Sequence, residues 1–226
     1  MDIQELLAKI GPLHPEPTLN RRDTALLLID MQKYAGVDGA VYKASKLGIP
    51  EDVVRETLKD MDQRFKQAIK NASKILGVCR QKEMTIAHTK IEALTNDCRD
   101  VPKNHRLHGH LLPIGSKWAQ FYDEVTPKKG EIVMSKTCSS FFNGSSIDRV
   151  LRFSGVENVI VVGFVTEQCV SHAARDACDH GYYVYVVSDA CATSTQEKHN
   201  YELAFIENLY AKILTTQEIV KRLEVL

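Results

Sequence analysis

The sequence predicts an α/β fold: a three-layer αβα sandwich with a six-stranded, mostly parallel sheet and helices on both faces, of Rossmann-like type. Two observations predict it. Apolar, β-branched runs of strand length alternate with stretches of helical periodicity along most of the chain. The runs Thr24–Ile29 and Asn158–Gly163 are apolar without polar alternation, as in parallel strands covered on both sides and joined by right-handed crossovers.

Taken in order, Gly11-Pro12-Leu13-His14-Pro15-Glu16-Pro17 can form neither a helix nor a central strand. Residues 1–20 are therefore expected to be an N-terminal arm, and 21–226 one domain. Thr24–Ile29 is the first strand, ending on Asp30. Glu51 to about Gln81 is a long amphipathic stretch, and Met84–Thr89 a second strand. Lys90–Gly115, polar and broken by Pro102, Gly109 and Pro113, is a long irregular loop of the kind that usually has a function. Ser116–Val125 is expected to be a short helix. Glu131–Ser135 is a third strand that delivers Lys136. A helix over Ser146–Phe153 precedes the fourth strand. A fifth strand is expected over Tyr182–Val187, a helix over Gln196–Asn208 that Gln196 or His199 caps, and a sixth strand over Tyr210–Leu214. The last helix, Thr215–Leu226, has Thr215 or Thr216 as cap and Glu218 in its first turn.

The chain has 226 residues, 44% hydrophobic and 26% charged, the composition of an ordinary globular domain. Lys plus Arg and Asp plus Glu both number 29, so no net field favours nucleic acid or an anionic membrane. Apolar runs fall far short of the roughly 18 residues a membrane span needs, and the first ten residues lack a signal-peptide core. Six cysteines include no Cys-x-x-Cys pair, which suits reduced thiols in a cytoplasmic protein. These readings leave a small molecule as the expected partner, with no cofactor.

Chemistry-bearing residues fall at the carboxyl ends of the predicted strands, where open parallel sheets place their sites. Asp30 follows the first strand, Lys136 the third and Cys169 the fourth. After Cys169, apolar residues at Val170, Ala173, Ala174 and Ala177 mark one buried helix face. With Thr166 as N-cap, the Cys169 thiol would lie in the first turn, where the helix dipole lowers a thiol pKa. A thiol, an ammonium and a carboxylate can divide nucleophilic catalysis among them: Cys169 attacks, Lys136 stabilises the thiolate, and Asp30 moves the proton.

The motifs Leu27-Leu28-Ile29-Asp30-Met31-Gln32, Glu131 to Lys136 with Ser139-Ser140-Phe141-Phe142, Gly163 to Val170 with Ala174-Arg175-Asp176-Ala177, and Ser188-Asp189-Ala190 with His199 resemble, in order and spacing, the isochorismatase-like cysteine hydrolases. The resemblance covers about residues 24–226. It implies attack of Cys169 on an amide or ureido carbonyl, a thioester intermediate, and a homo-oligomer, dimer or tetramer. It also implies a non-proline cis peptide at Phe164–Val165, with the Val165 and Cys169 N–H groups forming the oxyanion hole.

Family members that hydrolyse nicotinamide carry an Asp-x-His metal pair after the second strand. The sequence here, His88-Thr89-Lys90-Ile91-Glu92, has none. His105, His108 and His110 cluster in a polar loop without an acid at matching spacing, so the expectation is no metal, with these imidazoles solvated or one of them at the site mouth. The stretches Asn96–Asp100 and Gly115–Trp118 look closer to metal-free amidohydrolases of ureido and carbamoyl compounds. Tyr34, Trp118 and Phe142 are candidate walls of a small pocket, and Lys90 a candidate partner for a substrate carboxylate. The alternatives are isochorismate-type vinyl-ether hydrolysis, a nicotinamidase-like amidase, and a ligand-binding or redox-sensing module. A nucleotide-binding reading is disfavoured by the absence of G-x-G-x-x-G and P-loop patterns.

Overall fold

The structure is a computed structural model, and residues 2–10 and 18–226 are described. The Gly11–Pro17 segment expected to be irregular lies outside the described residues. Within the expected arm, Ile3–Ile10 is a helix (α1).

Six strands form one sheet: β1 (Thr24–Ile29), β2 (Thr85–Ile91), β3 (Ile132–Lys136), β4 (Asn158–Phe164), β5 (Tyr183–Ala192) and β6 (Lys212–Leu214). Their order is β3-β2-β1-β4-β5-β6 and every pair is parallel. Chain progression reverses between β1 and β4, which makes a switch point at the centre of the sheet. All residues of β1 and β4 are buried, which is why both read as uninterrupted apolar runs.

The remaining helices are α2 (Val37–Ser45), α3 (Glu51–Thr57), α4 (Lys59–Gln81), α5 (Lys103–Leu107), α6 (Phe141–Gly144), α7 (Ile147–Phe153), α8 (Ser171–Asp179), α9 (Gln196–Ile206) and α10 (Thr216–Glu224). Alternate residues of β1 feed two separate cores, as period-2 geometry requires. Leu26 and Leu28 pack with Phe65 and Ile75 of α4 and Leu223 of α10. Ala25, Leu27 and Ile29 pack with Leu151 of α7, Ala173 of α8 and Leu203 of α9. The result is the three-layer sandwich expected from the sequence.

Several elements differ from expectation. The Glu51–Gln81 stretch is two helices broken at Leu58, and α2 is an addition. The helix expected over Ser116–Val125 is two 3-10 turns, Lys117–Ala119 and Asp123–Val125. Between them the backbone pairs with the segment after β1: Lys33 N–H donates to Gln120 O at 2.9 Å and Tyr122 N–H to Met31 O at 3.1 Å. Strand β5 runs on to Ala192 because its polar end is satisfied. Ser188 Oγ donates to Leu214 O at 3.2 Å, and Asp189 Oδ1 accepts from Thr216 N–H at 2.7 Å. Finally, α9 is capped by Thr195, which accepts from Lys198 N–H, so neither Gln196 nor His199 is the cap. Among the described residues no helix is long and apolar enough to cross a membrane.

Candidate active site

Asp30 and Cys169 lie on either side of the β1/β4 switch point, and Lys136 reaches them from the end of β3. Asp30 leaves β1 in the left-handed region, φ 49°. Its backbone is held there by Asp30 N–H donating to Thr89 O at 3.0 Å and Gln32 N–H donating to Asp30 O at 2.8 Å. Opposite it, Gly163 has φ 130°, and a Cβ there would lie 2.0 Å from Ile29 O. Only glycine lets β4 approach β1 this closely. The chain then passes through a cis Phe164–Val165 peptide into a π-helical turn, Thr166–Val170, that carries Cys169 and runs directly into α8.

All three side chains are buried: Asp30 is 4% exposed, Lys136 2% and Cys169 8%. Lys136 Nζ donates to Asp30 Oδ2 at 2.7 Å and to Cys138 O at 2.9 Å, and stands 3.4 Å from Cys169 Sγ. Asp30 Oδ1 is buried without a well-aligned donor among the described residues, and the Cys169 thiol is close enough to interact with this carboxylate.

The cap and the thiol state differ from expectation. Thr166 is not an N-cap; its hydroxyl bonds His199 Nδ1 at 2.8 Å. Burial pushes the Cys169 thiol well above its ordinary pKa, Asp30 adds to this, and Lys136 opposes it. Desolvation and a carboxylate neighbour outweigh any gain at a helix end. Burial favours neutral Lys136, but Asp30 and Cys169 reverse that and hold its pKa above the usual lysine value.

Asp30 and Cys169 open onto a cleft of about 300 Å³, at the small end of ligand cavities. Tyr34, expected as a wall, lines it. So does His110, whose ring meets Tyr34 edge-on at 5.8 Å. His105 is buried behind His110, 5.3 Å away between ring centroids, rather than solvated.

Three residues expected at the pocket lie elsewhere. Lys90 pairs with Glu92 at 2.8 Å in a separate cavity beside Gly115 and Phe121. It is Ile91, one residue on, that faces the cleft, as strand alternation dictates. The Trp118 ring stacks on Tyr42 at 4.7 Å, and only its carbonyl comes near the site, accepting from Gln32 Nε2 at 3.4 Å. Phe142 is buried against Tyr182 and His180, 5.6 Å from each ring.

Sequence reasoning missed Lys43, Met61, Glu167, Thr193 and Lys198 as cleft residues. They come from α2, α4, the π turn, the end of β5 and α9, and no local pattern marks such a convergence. Gln32 was legible only as part of a motif. Its buried amide accepts from Ile91 N–H at 2.6 Å and donates to Ile91 O at 3.1 Å, tying the end of β2 to the cleft. Among the described residues no group of three or more His, Cys, Asp or Glu is placed to hold a metal ion.

A buried thiol, ammonium and carboxylate meet at the switch point of a parallel sheet in an α/β fold. The isochorismatase domain pattern matches residues 24–218, and the chain belongs to the isochorismatase family. It is 28% identical over 196 residues to a ureidoacrylate amidohydrolase of Agrobacterium fabrum, covering 79% of this chain and 80% of that one. It is 31% identical over 158 residues to a maleamate amidohydrolase of Pseudomonas putida, covering 69% and 74%. The fold matches the crystal structure of a cysteine hydrolase from Pseudomonas syringae pv. phaseolicola with a TM-score of 0.77 at 21% identity, over 96% of this chain and 99% of that one.

Proposed function

We propose that the protein is an amidohydrolase that cleaves the C–N bond of a small amide, ureido or carbamoyl compound through a Cys169 thioester. The observation that carries this reading is Lys136 Nζ between Asp30 Oδ2 and Cys169 Sγ, at 2.7 and 3.4 Å, with Asp30 and Cys169 lining a small cleft. The names of the ureidoacrylate and maleamate relatives support the reaction class.

The residues divide the work as follows. When a carbonyl carbon settles over Cys169 Sγ, the thiol proton moves to Asp30, whose Oδ1 has no other hydrogen-bond partner among the described residues. Sulfur attacks, and the carbonyl oxygen takes the negative charge. The backbone N–H groups of Val165 and Cys169 receive that oxyanion, a donor of this kind being worth about 3 kcal/mol in the barrier. Collapse expels the nitrogen, which leaves as ammonia or an amine after taking the proton from Asp30. Water then gives a proton to Asp30 and attacks the thioester; the acid departs, and the thiolate recovers its proton. Throughout, Lys136 is a fixed cation that makes a thiolate tolerable in a buried place.

An ammonia-release screen over ureido acids, maleamate, biuret, nicotinamide and small primary amides tests the proposal. Turnover of at least one ureido or carbamoyl compound or ω-amide is expected, and it should be abolished in Cys169→Ala. Full activity in the alanine variant would overturn the assignment.

A further inference from the structure

Of the two lysines on the cleft, Lys198 is exposed and Lys43 is half-buried. Lys43 of α2 is on one wall of the cleft, with its Nζ 4.2 Å from the centroid of the Tyr34 ring. Among the described residues no carboxylate pairs with Lys43, and burial lowers its pKa. His110 stands on the same wall. Tyr34 Oη fixes the loop that carries it, donating to Gly109 O at 2.9 Å. Burial, then Lys43, His105 and His108, hold the His110 pKa down to about 4.

Two acids share the cleft. Asp30 is bonded to Lys136; Glu167 lies on the turn that bears Cys169, with its Oε2 buried and unpartnered among the described residues, and neither acid is ion-paired to Lys43. A half-buried ammonium and a neutral imidazole facing a cleft without an acid of their own form a receptor for an acid brought from outside.

We propose that the Lys43–Tyr34–His110 wall is a carboxylate subsite, so that the preferred substrates are amides or ureido compounds bearing a carboxylate away from the scissile bond. This rests on the amidohydrolase reading for its catalytic half, but not for binding. Lys43 neutralises the carboxylate, and His110 offers a ring N–H. Tyr34 holds both through its ring face and its hydroxyl, and its own phenol pKa is raised to about 12 by burial, so it brings no competing charge. Lys43 is a specificity residue here and takes no part in bond breaking.

The test compares wild type with Lys43→Met, and with Lys117→Met as a control at a lysine 5.3 Å over the Trp118 ring and outside the cleft. Two readouts are needed: kcat/KM on maleamate against its methyl ester, and binding of maleate by calorimetry, which involves no C–N bond. In Lys43→Met, kcat/KM for the acid should fall about 30-fold, mostly through KM, with the ester changed less than about 3-fold, as expected for losing a charged hydrogen bond. Maleate binding should weaken by a similar factor, and Lys117→Met should change neither. Equal losses on acid and ester, or maleate affinity indifferent to Lys43, would overturn the subsite. Lys43-dependent maleate binding without turnover of any amide would leave the subsite standing and remove the amidohydrolase reading. Turnover with indifference to Lys43 would do the reverse.

Discussion

Lys136 and Asp30 form an ion pair at 2.7 Å whose side chains are 0% and 5% exposed. Such a pair contributes little net stability, because desolving two charges costs about as much as their attraction returns, whereas removing one partner strands the other. Lys136→Met should therefore destabilise the fold by about 3 kcal/mol or more. The double variant Asp30→Asn/Lys136→Met should recover most of that loss without recovering turnover. Chemical denaturation of the single and double variants measures it; additive losses would mean that the pair is not coupled.

The buried thiol makes a pH-dependent expectation. Because burial and Asp30 raise the Cys169 pKa, its thiolate fraction at neutral pH lies below that of a free cysteine. Alkylation of Cys169 by iodoacetamide in the unliganded protein should rise with pH only in the alkaline range. Asp30→Asn should move that rise to lower pH, since a negative neighbour is removed, and Lys136→Met to higher pH. Peptide mass spectrometry after timed alkylation follows each variant. A neutral or acidic midpoint in the wild type would contradict this electrostatic account.

Acid sensitivity should come from His88 on β2. Its ring is fully buried, with Nε2 3.0 Å from Glu131 Oε2 and Nδ1 without a partner among the described residues. Burial depresses its pKa from 6.5 to about 4, and Glu131 opposes this only in part. Burial would raise the Glu131 pKa, but bonds from Arg80, Lys128 N–H and His88 outweigh it and bring it from 4.5 to about 2. Between about pH 6.5 and 4 the unfolded chain binds the His88 proton and the folded one does not. Stability is therefore lost as pH falls through that window, by about 3 kcal/mol for a full proton. Glu131 adds a loss in the same direction between about 4.5 and 2. Denaturation midpoints across these pH values should show the slope, reduced by about one proton in His88→Gln. An unchanged slope would remove His88 from the account.

The legible part of the molecule is the part whose placement is local. Strand ends can be read from hydrophobic runs, so Asp30, Lys136 and Cys169 could be assigned to one sheet edge, and parallel topology then brought them together. The capping box at Thr215 and Glu218 was equally local and is present. The pocket walls were not legible. Lys90 and Ile91 differ by one residue and face opposite ways, and a one-residue error in a strand end exchanges an ammonium for an isoleucine. Trp118 and Phe142 looked like wall residues because aromatics suit either a pocket or a core. Lys43 and His110 meet across 66 intervening residues, through an α2 helix and a loop that periodicity did not define. The helix end beside Cys169 is visible in sequence, whereas the burial that raises its thiol pKa is not.

In the proposed mechanism Cys169 carries the acyl group between two half-reactions. The most direct test is intact-protein mass spectrometry of wild type quenched in acid during steady-state turnover of an amide found by ammonia release. The account predicts a mass increase equal to the acyl group, mapped to the Cys169 peptide, labile to hydroxylamine and absent in Cys169→Ala. Steady turnover with an unmodified Cys169 peptide, or with the acyl group on another residue, would contradict it.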